Sequence, residues 1–331
     1  MFENEIRHII RKGMVEGSTF AIFRLPGRKE LHLAGEGGYD VFVNGFDNPF
    51  SQSETISLKS NYGQCTPIPE TTPTDVYLNG VTSLRDYHKK HGGKTVLSRV
   101  IGGITDLASL ETAVESYFDL NQNAFCLFLN SPRYGAWLMA TPEMLFEKDQ
   151  SSYTFMALAG TRSATSDNTV WDNKNKTEQK IVETFISDTL SSMGYKIQIA
   201  EPITLRSSNV EHICSTLTFS DTFLKDNSKA LASLIDNVAP TPAVCGFPQD
   251  VARKNITRYE EHNRDFYAGY TLVCFPDGNI TVFVNLRCAR IDLQTGQFAI
   301  YVGSGITGDS DPEKELEETS LKAAPLLRIL Q

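Results

Sequence analysis

Residues 270–302, YTLVCFPDGNITVFVNLRCARIDLQTGQFAIYV, decide the architecture. Three runs rich in Val, Ile, Phe and Tyr follow one another closely, at 270–275, 280–286 and 298–302. Such side chains suit a pleated, half-buried strand, and Pro276-Asp277-Gly278-Asn279 between the first two is a turn sequence. Upstream, residues 125–129 and 135–139 repeat the arrangement around Asn130-Ser131-Pro132-Arg133. Shorter strand-like runs stand at 19–25 and 30–33. Helical periodicity is confined to separate segments. Residues 3–15 carry Ile6, Ile9, Ile10 and Met14, and 177–193 carry Ile181, Phe185, Ile186, Leu190 and Met193 on one stripe. A last helix opens after Asp311-Pro312, an N-cap followed by a proline in the first turn. Consecutive strands without regular β-α-β alternation predict an α+β fold and not a doubly wound sheet.

The 331 residues are 40% hydrophobic, enough for a large core, and the formal net charge is −9. That acidic balance argues against a nucleic-acid backbone as partner, since phosphate binding needs clustered Lys and Arg. Glu3, Glu5, Arg7, Arg11 and Lys12 interrupt any apolar run at the start, so no signal peptide is expected. Nor is there a span of about 20 apolar residues to enter a membrane. The six cysteines are scattered, several inside apolar runs, and so are expected to be reduced core residues. The expected location is the cytoplasm. Residues 51–75, rich in Ser, Thr, Pro and Asn, are expected to be a surface connection.

His91-Gly92-Gly93-Lys94-Thr95 contains the Gly-Lys-Thr of a phosphate-binding loop. The motif needs a glycine where His88 stands and a helix after Thr95. Val96-Leu97-Ser98-Arg99-Val100-Ile101 predicts a strand instead, so nucleotide binding is rejected. A lysine that opens a buried strand can still be recruited as a base. On the last helix Glu315, Glu318 and Lys322 share one face at spacings of three and four. Alone, that pattern is a solvated face, and Glu178 on the 177–193 helix is equally ambiguous.

The ambiguity is lifted by a specific resemblance. Pro240-Thr-Pro-Ala-Val-Cys-Gly-Phe-Pro248 resembles the P-T-P-A-x-x-G-F-P segment of isochorismate synthases. Further segments resemble, in order, the chorismate-utilising enzymes that also include anthranilate, aminodeoxychorismate and salicylate synthases. They are Lys94-Thr-Val-Leu-Ser-Arg99, Thr141-Pro-Glu143-Met-Leu-Phe146, Leu158-Ala-Gly-Thr-Arg162 and Asn209-Val-Glu-His212. Beyond these lie Tyr267-Ala-Gly269, Leu286-Arg287-Cys-Ala289, Gly303-Ser-Gly-Ile306 and the segment from Asp311 to Lys322. The resemblance covers roughly residues 75–331.

It implies the anthranilate synthase component I-like fold, with antiparallel sheets packed together and helices outside. Residues 76–331 would be the catalytic domain, and 1–75 a shortened variable region packed on it. Chorismate would be the substrate and Mg²⁺ the cofactor, in a monomer. By resemblance Lys94 is the general base and Glu143 the general acid, which requires a raised carboxyl pKa. Glu178 and Glu318 match direct metal ligands, and Glu315 matches one that acts through water. Arg287 and Tyr267 match the groups for the enolpyruvyl carboxylate, and His212 and Lys322 those on the ring-carboxylate side. Gly160, Thr161, Gly303 and Gly305 would offer donors or close backbone approach to substrate.

Three positions separate the members. Ala159 stands where similar aminodeoxychorismate synthases carry a lysine before Gly-Thr. Lys94 stands where amine-adding members carry glutamine, so water is the implied nucleophile. The segment at 240–248 also differs from the G-A-P-K type of those members. Salicylate synthase, which goes on to eliminate pyruvate, is the alternative within the family, and a catalytically silent relative the alternative outside enzymology. Ala239 and Gln179 depart from the histidines usual at those positions, and both are expected to neighbour the site.

Overall fold

The computed structural model describes residues 4–47, 66–164, 170–207, 210–220 and 228–331. Asn209, Cys65 and most of the 51–75 connection lie outside them. In chain order the first elements are α1 (Asn4–Glu16), β1 (Phe20–Arg24), β2 (His32–Leu33), β3 (Asp40–Asn44), α2 (Thr74–His91), β4 (Lys94–Ile104) and α3 (Leu110–Leu120). There follow β5 (Phe125–Ser131), β6 (Gly135–Thr141), β7 (Met144–Asp149), β8 (Ser152–Ser163) and α4 (Asn173–Ser192). Next come β9 (Gln198–Ile199), β10 (Ile203–Ser207), β11 (Val210–Ser220), α5 (Ser228–Val238), β12 (Gly246–Phe247) and α6 (Gln249–Tyr259). The chain ends with β13 (Tyr270–Cys274), β14 (Ile280–Val284), β15 (Cys288–Ile291), β16 (Gln297–Ile306) and α7 (Pro312–Leu330).

The strands form two eight-stranded sheets among the described residues. One runs β12-β4-β16-β15-β6-β5-β1-β2; the other runs β10-β11-β8-β7-β14-β13-β3, with β9 on β11. Neighbouring strands are antiparallel, as in the pairings of β4 with β16 and of β8 with β11. This is the expected α+β architecture. The sheets meet face to face, where Phe125 of β5 stacks on Phe283 of β14 at 4.2 Å. Alternate residues of β5 show why its Phe-Cys-Leu-Phe-Leu run is continuously apolar. Phe125, Leu127 and Leu129 enter the core between the sheets, while Cys126 and Phe128 enter a second core beneath α1, α3 and α7. A strand covered on both faces has no polar side.

Several local expectations need correction. The 280–286 run ends as a strand at Val284. A strand not read from the sequence, β15, starts at Cys288 and pairs with both β6 and β16. Between them the chain leaves one sheet for the other, and Arg287 turns the corner at φ +49°. β6 and β7 lie in different sheets too, so Glu143 marks a second crossing. Val284 N–H donates to the Glu143 carbonyl at 3.0 Å and ties the two crossings together. Asn130 and Ser131 are strand and not turn, and only His32–Leu33 of the 30–33 run is extended. α4 begins at Asn173, earlier than expected, because Asp172 caps it by accepting from Asn175 N–H at 2.8 Å.

The rejected phosphate loop is filled by protein. Thr95 is fully buried, and its hydroxyl bonds His88 Nε2 at 2.9 Å and Asn255 Nδ2 at 3.1 Å. Cys126, Cys214, Cys245, Cys274 and Cys288 are free thiols, as expected. No described helix is long and apolar enough to cross a membrane.

Candidate active site

A cleft of about 730 Å³, counted with its open mouth, lies where β4 and β16 of one sheet approach β8 and β11 of the other. Twelve of the thirteen residues expected at the site line it; Glu315 stands just behind. Lys94 opens β4 and is only 2% exposed, with Nζ 3.4 Å from Glu178 Oε2. Its place is made by glycine. A Cβ on Gly305 would lie 2.4 Å from Lys94 Cε and 3.1 Å from Glu178 Oε2. Gly303 does the same for Tyr267, whose hydroxyl would be 2.7 Å from an added Cβ. These two glycines therefore make room for side chains, beyond the backbone approach expected of them. The Pro-Thr-Pro-Ala segment has a comparable logic. It leads into β12, where Gly246 pairs with Thr95 and Phe247 with Lys94, and a Cβ on Gly246 would meet the Lys94 carbonyl at 2.3 Å.

Glu143 faces the same cleft from the sheet crossing, 3% exposed. Burial pushes its carboxyl up to about 8, against the pull of Lys94 and Lys322. A carboxyl so placed keeps its proton at neutral pH and can donate it.

Strands and their crossings hold the side that carries Arg287, His212 and Tyr267. Arg287 Nη2 donates to His212 Nε2 at 2.9 Å, so His212 carries its proton on Nδ1 and donates it to the Gly160 carbonyl at 3.0 Å. Burial, then Arg287 and Lys322, pushes the His212 pKa down to about 3, which keeps the ring neutral and able to accept. Thr161 Oγ1 is 3.3 Å from the same ring, but its backbone N–H is already given to Asn175 Oδ1 at 2.8 Å. The Arg287 carbonyl accepts from the Tyr117 hydroxyl at 2.7 Å. Tyr267 stacks on Tyr301, with ring centroids 5.7 Å apart.

Helices supply the acidic side. Glu178 comes from α4, and Glu315, Glu318 and Lys322 from α7. Lys322 Nζ lies 2.7 Å from Glu318 and 2.9 Å from the Gly303 carbonyl. Burial opposes charge on Glu318, yet Lys322 and Lys174 hold its pKa below the ordinary value. Burial and the neighbouring Glu318 push Glu315 above it. Lys174 was not expected here. Its Nζ lies 2.6 Å from Glu315 Oε1 and 3.4 Å from Glu178 Oε1. Burial alone would lower its pKa; Glu178, Glu315 and Glu318 outweigh that and raise it.

Three carboxylates are the hard oxygen donors that Mg²⁺ takes, and Glu315 Oε2 is buried without a hydrogen-bond partner. The donor set suits the ion. Among the described residues, however, no three ligating side chains stand already grouped as a metal centre. Lysine side chains pair with the carboxylates instead. Ala239 and Gln179 do not line the cleft. Gln179 Nε2 donates to Ser215 Oγ at 2.8 Å, and Ser215 to Glu183 at 2.7 Å, a buried network between α4 and β11. Ala239 borders a second cavity, of about 570 Å³, behind the Pro-Thr-Pro-Ala segment.

A family model described as chorismate binding enzyme matches residues 50–331. The chain belongs to the chorismate-binding enzyme family. Relatives in it include the vibriobactin-specific isochorismate synthase of Vibrio cholerae, 27% identical over 265 residues, 76% of this chain and 65% of that protein. Isochorismate synthase DhbC of Bacillus subtilis is 29% identical over 203 residues, 58% of this chain and 50% of its own. MenF of Escherichia coli is 30% identical over 222 residues, 64% and 49% of the two chains. The chain thus spans about half to two thirds of the length of these relatives. Among solved structures, DhbC of Bacillus anthracis superposes with a TM-score of 0.75 at 22% identity, covering 96% of this chain and 99% of that one. Anthranilate synthase component I of Streptococcus pneumoniae gives 0.65 at 18% identity, over 80% and 60%. These likenesses establish the chorismate-binding fold.

Proposed function

We propose that this chorismate-binding enzyme isomerises chorismate to isochorismate. Water adds at C2, the C4 hydroxyl leaves as water, and the double bonds shift between them. Lys94 takes a proton from the attacking water, and Glu143 gives one to the departing hydroxyl, so protons balance. One observation carries the reading: Lys94 and a Glu143 that stays protonated to about 8 line the same cleft. Both are almost wholly buried, and desolvation strengthens every charge interaction made there.

Arg287 and Tyr267 bind the enolpyruvyl carboxylate, with Arg287 aimed by neutral His212. Lys322 and Gly160 serve the ring side. A divalent ion held by Glu178 and Glu318, with Glu315 behind, would supply positive charge for the ring carboxylate. The names of the relatives support the same product; the family resemblance supports a monomer, and the free thiols support a reducing, cytoplasmic location.

The test is product analysis. Purified protein is incubated with chorismate and Mg²⁺, with and without EDTA, and the products are separated chromatographically. Isochorismate alone, lost on chelation, is expected. Salicylate with pyruvate would assign the elimination reaction instead, and chorismate bound without turnover would remove the enzymatic reading.

A further inference from the structure

Lys174 is the residue that the chemistry above leaves unused. It lies on the first turn of α4, one helical turn before Glu178, where an i,i+4 pair on the surface would mean little. It reaches past that pair. Its ammonium spans two helices, bonding Glu315 of α7 at 2.6 Å while staying within 3.4 Å of Glu178. Glu315 is 1% exposed and Glu178 9% at the side chain, whereas Lys174 remains 28% exposed. The lysine therefore reaches in from solvent on a flexible stem and can leave by the same route. The carboxylates cannot leave. With Lys322 beside Glu318, Lys174 bonded to Glu315 and Lys94 Nζ 3.4 Å from Glu178, each of the three acidic residues already has a lysine next to it.

We infer that Lys174 is a built-in counter-ion, which holds Glu178 and Glu315 together and must withdraw before a divalent cation can settle against Glu178 with Glu315 behind it. This rests on the proposed metal role of the acidic side. Uncompensated, these buried carboxylates would repel one another across α4 and α7. With the lysine in place they are assembled in advance, at the cost of weaker metal binding.

Calorimetric titration of the full chain with Mg²⁺ alone tests the inference. Lys174→Met is expected to bind Mg²⁺ at least about tenfold more tightly than wild type, a change of 1.4 kcal/mol. Lys174→Arg keeps the charge and should retain wild-type affinity. The melting temperature of Lys174→Met should fall without Mg²⁺ and rise further than wild type when Mg²⁺ is added. Unchanged or weaker binding by Lys174→Met would overturn the counter-ion role. Glu318→Gln separates this from the underlying reading: if it binds Mg²⁺ as wild type does, the acidic side is not the metal site and both fall. Wild-type protein gives a second readout, which does not depend on the variant folding. Mg²⁺ should increase acetylation of Lys174 by a water-soluble acylating reagent, followed by peptide mass spectrometry; protection or no change would contradict withdrawal.

Discussion

The two sides of the cleft are built differently. On the helical side, Glu178, Glu315, Glu318 and their lysines come from α4 and α7, and charge is balanced by long flexible stems. On the strand side, Arg287, His212 and Tyr267 are fixed by backbone. Arg287 sits in a left-handed corner between sheets, its carbonyl held by Tyr117. A non-glycine residue in that region costs roughly 1–3 kcal/mol and persists only where its surroundings enforce it. The contrast separates two tasks. Under the proposed function, a side that exchanges cations needs mobile counter-charges, and a side that orients one anion needs immobility. Lys94 and Glu143 stand between them, at a strand start and a sheet crossing.

Replacing the central pair should have the largest effect. Lys94→Ala or Glu143→Gln should lower kcat by about 10²–10⁴-fold, the usual worth of a positioned acid or base. KM should change little; a loss confined to KM would assign these residues to binding. On the strand side, Arg287→Ala should weaken substrate binding roughly 10–100-fold, as expected for a lost charge-assisted bond. Tyr117→Phe, which only loosens the corner, should show a weaker form of the same defect. If Tyr117→Phe matched Arg287→Ala, the corner and not the guanidinium would be the binding element.

The protonated carboxyl gives a prediction with a definite sign. Glu143 keeps its proton to about 8 in the fold, whereas in the unfolded chain it ionises near ~4.3. Wild-type stability should therefore decline as pH rises from ~4.3 towards 8, by something on the order of a few kcal/mol. Glu143→Gln should melt above wild type at pH 8 or higher and lose that advantage below pH 4, where both forms are neutral. The rate should likewise fall as pH passes about 8. Melting curves that run parallel at all pH values would show that Glu143 is not held protonated. The smallest effect belongs outside the cleft. Gln179→Ala should cost about 1 kcal/mol of stability by breaking the Ser215–Glu183 network, with kcat and KM unchanged.

What the sequence disclosed and what it hid follow from the same physics. The α+β class was legible because strand-like runs follow one another across short turn sequences, whereas the antiparallel packing of the sheets came through the resemblance. β15 was missed because its four residues follow a corner that no pattern announces; Arg287 in a left-handed conformation is a tertiary fact. The cleft's members were legible only through resemblance, since spacing on α7 cannot show convergence with α4. Lys174 was hidden by a shifted boundary. With the helix expected from residue 177 it lay off the element, and only the Asp172 cap places it one turn before Glu178. The raised carboxyl of Glu143 depends on burial at a sheet crossing, as does the neutrality of His212. Gln179, next to Glu178 in sequence, turns to Ser215 on β11, and Ala239, just past α5, borders the second cavity, so neither lines the cleft.

The central claim is that Lys94 directs water onto the ring. Turnover in water labelled with heavy oxygen tests it most directly, with the product read by mass spectrometry. The account predicts one labelled oxygen in isochorismate, on C2, and labelled product from Lys94→Ala only at a rate about 10²–10⁴-fold below wild type. An unlabelled product would mean that the hydroxyl migrates without leaving, and a fully labelled product from Lys94→Ala at the wild-type rate would mean that another group activates the water.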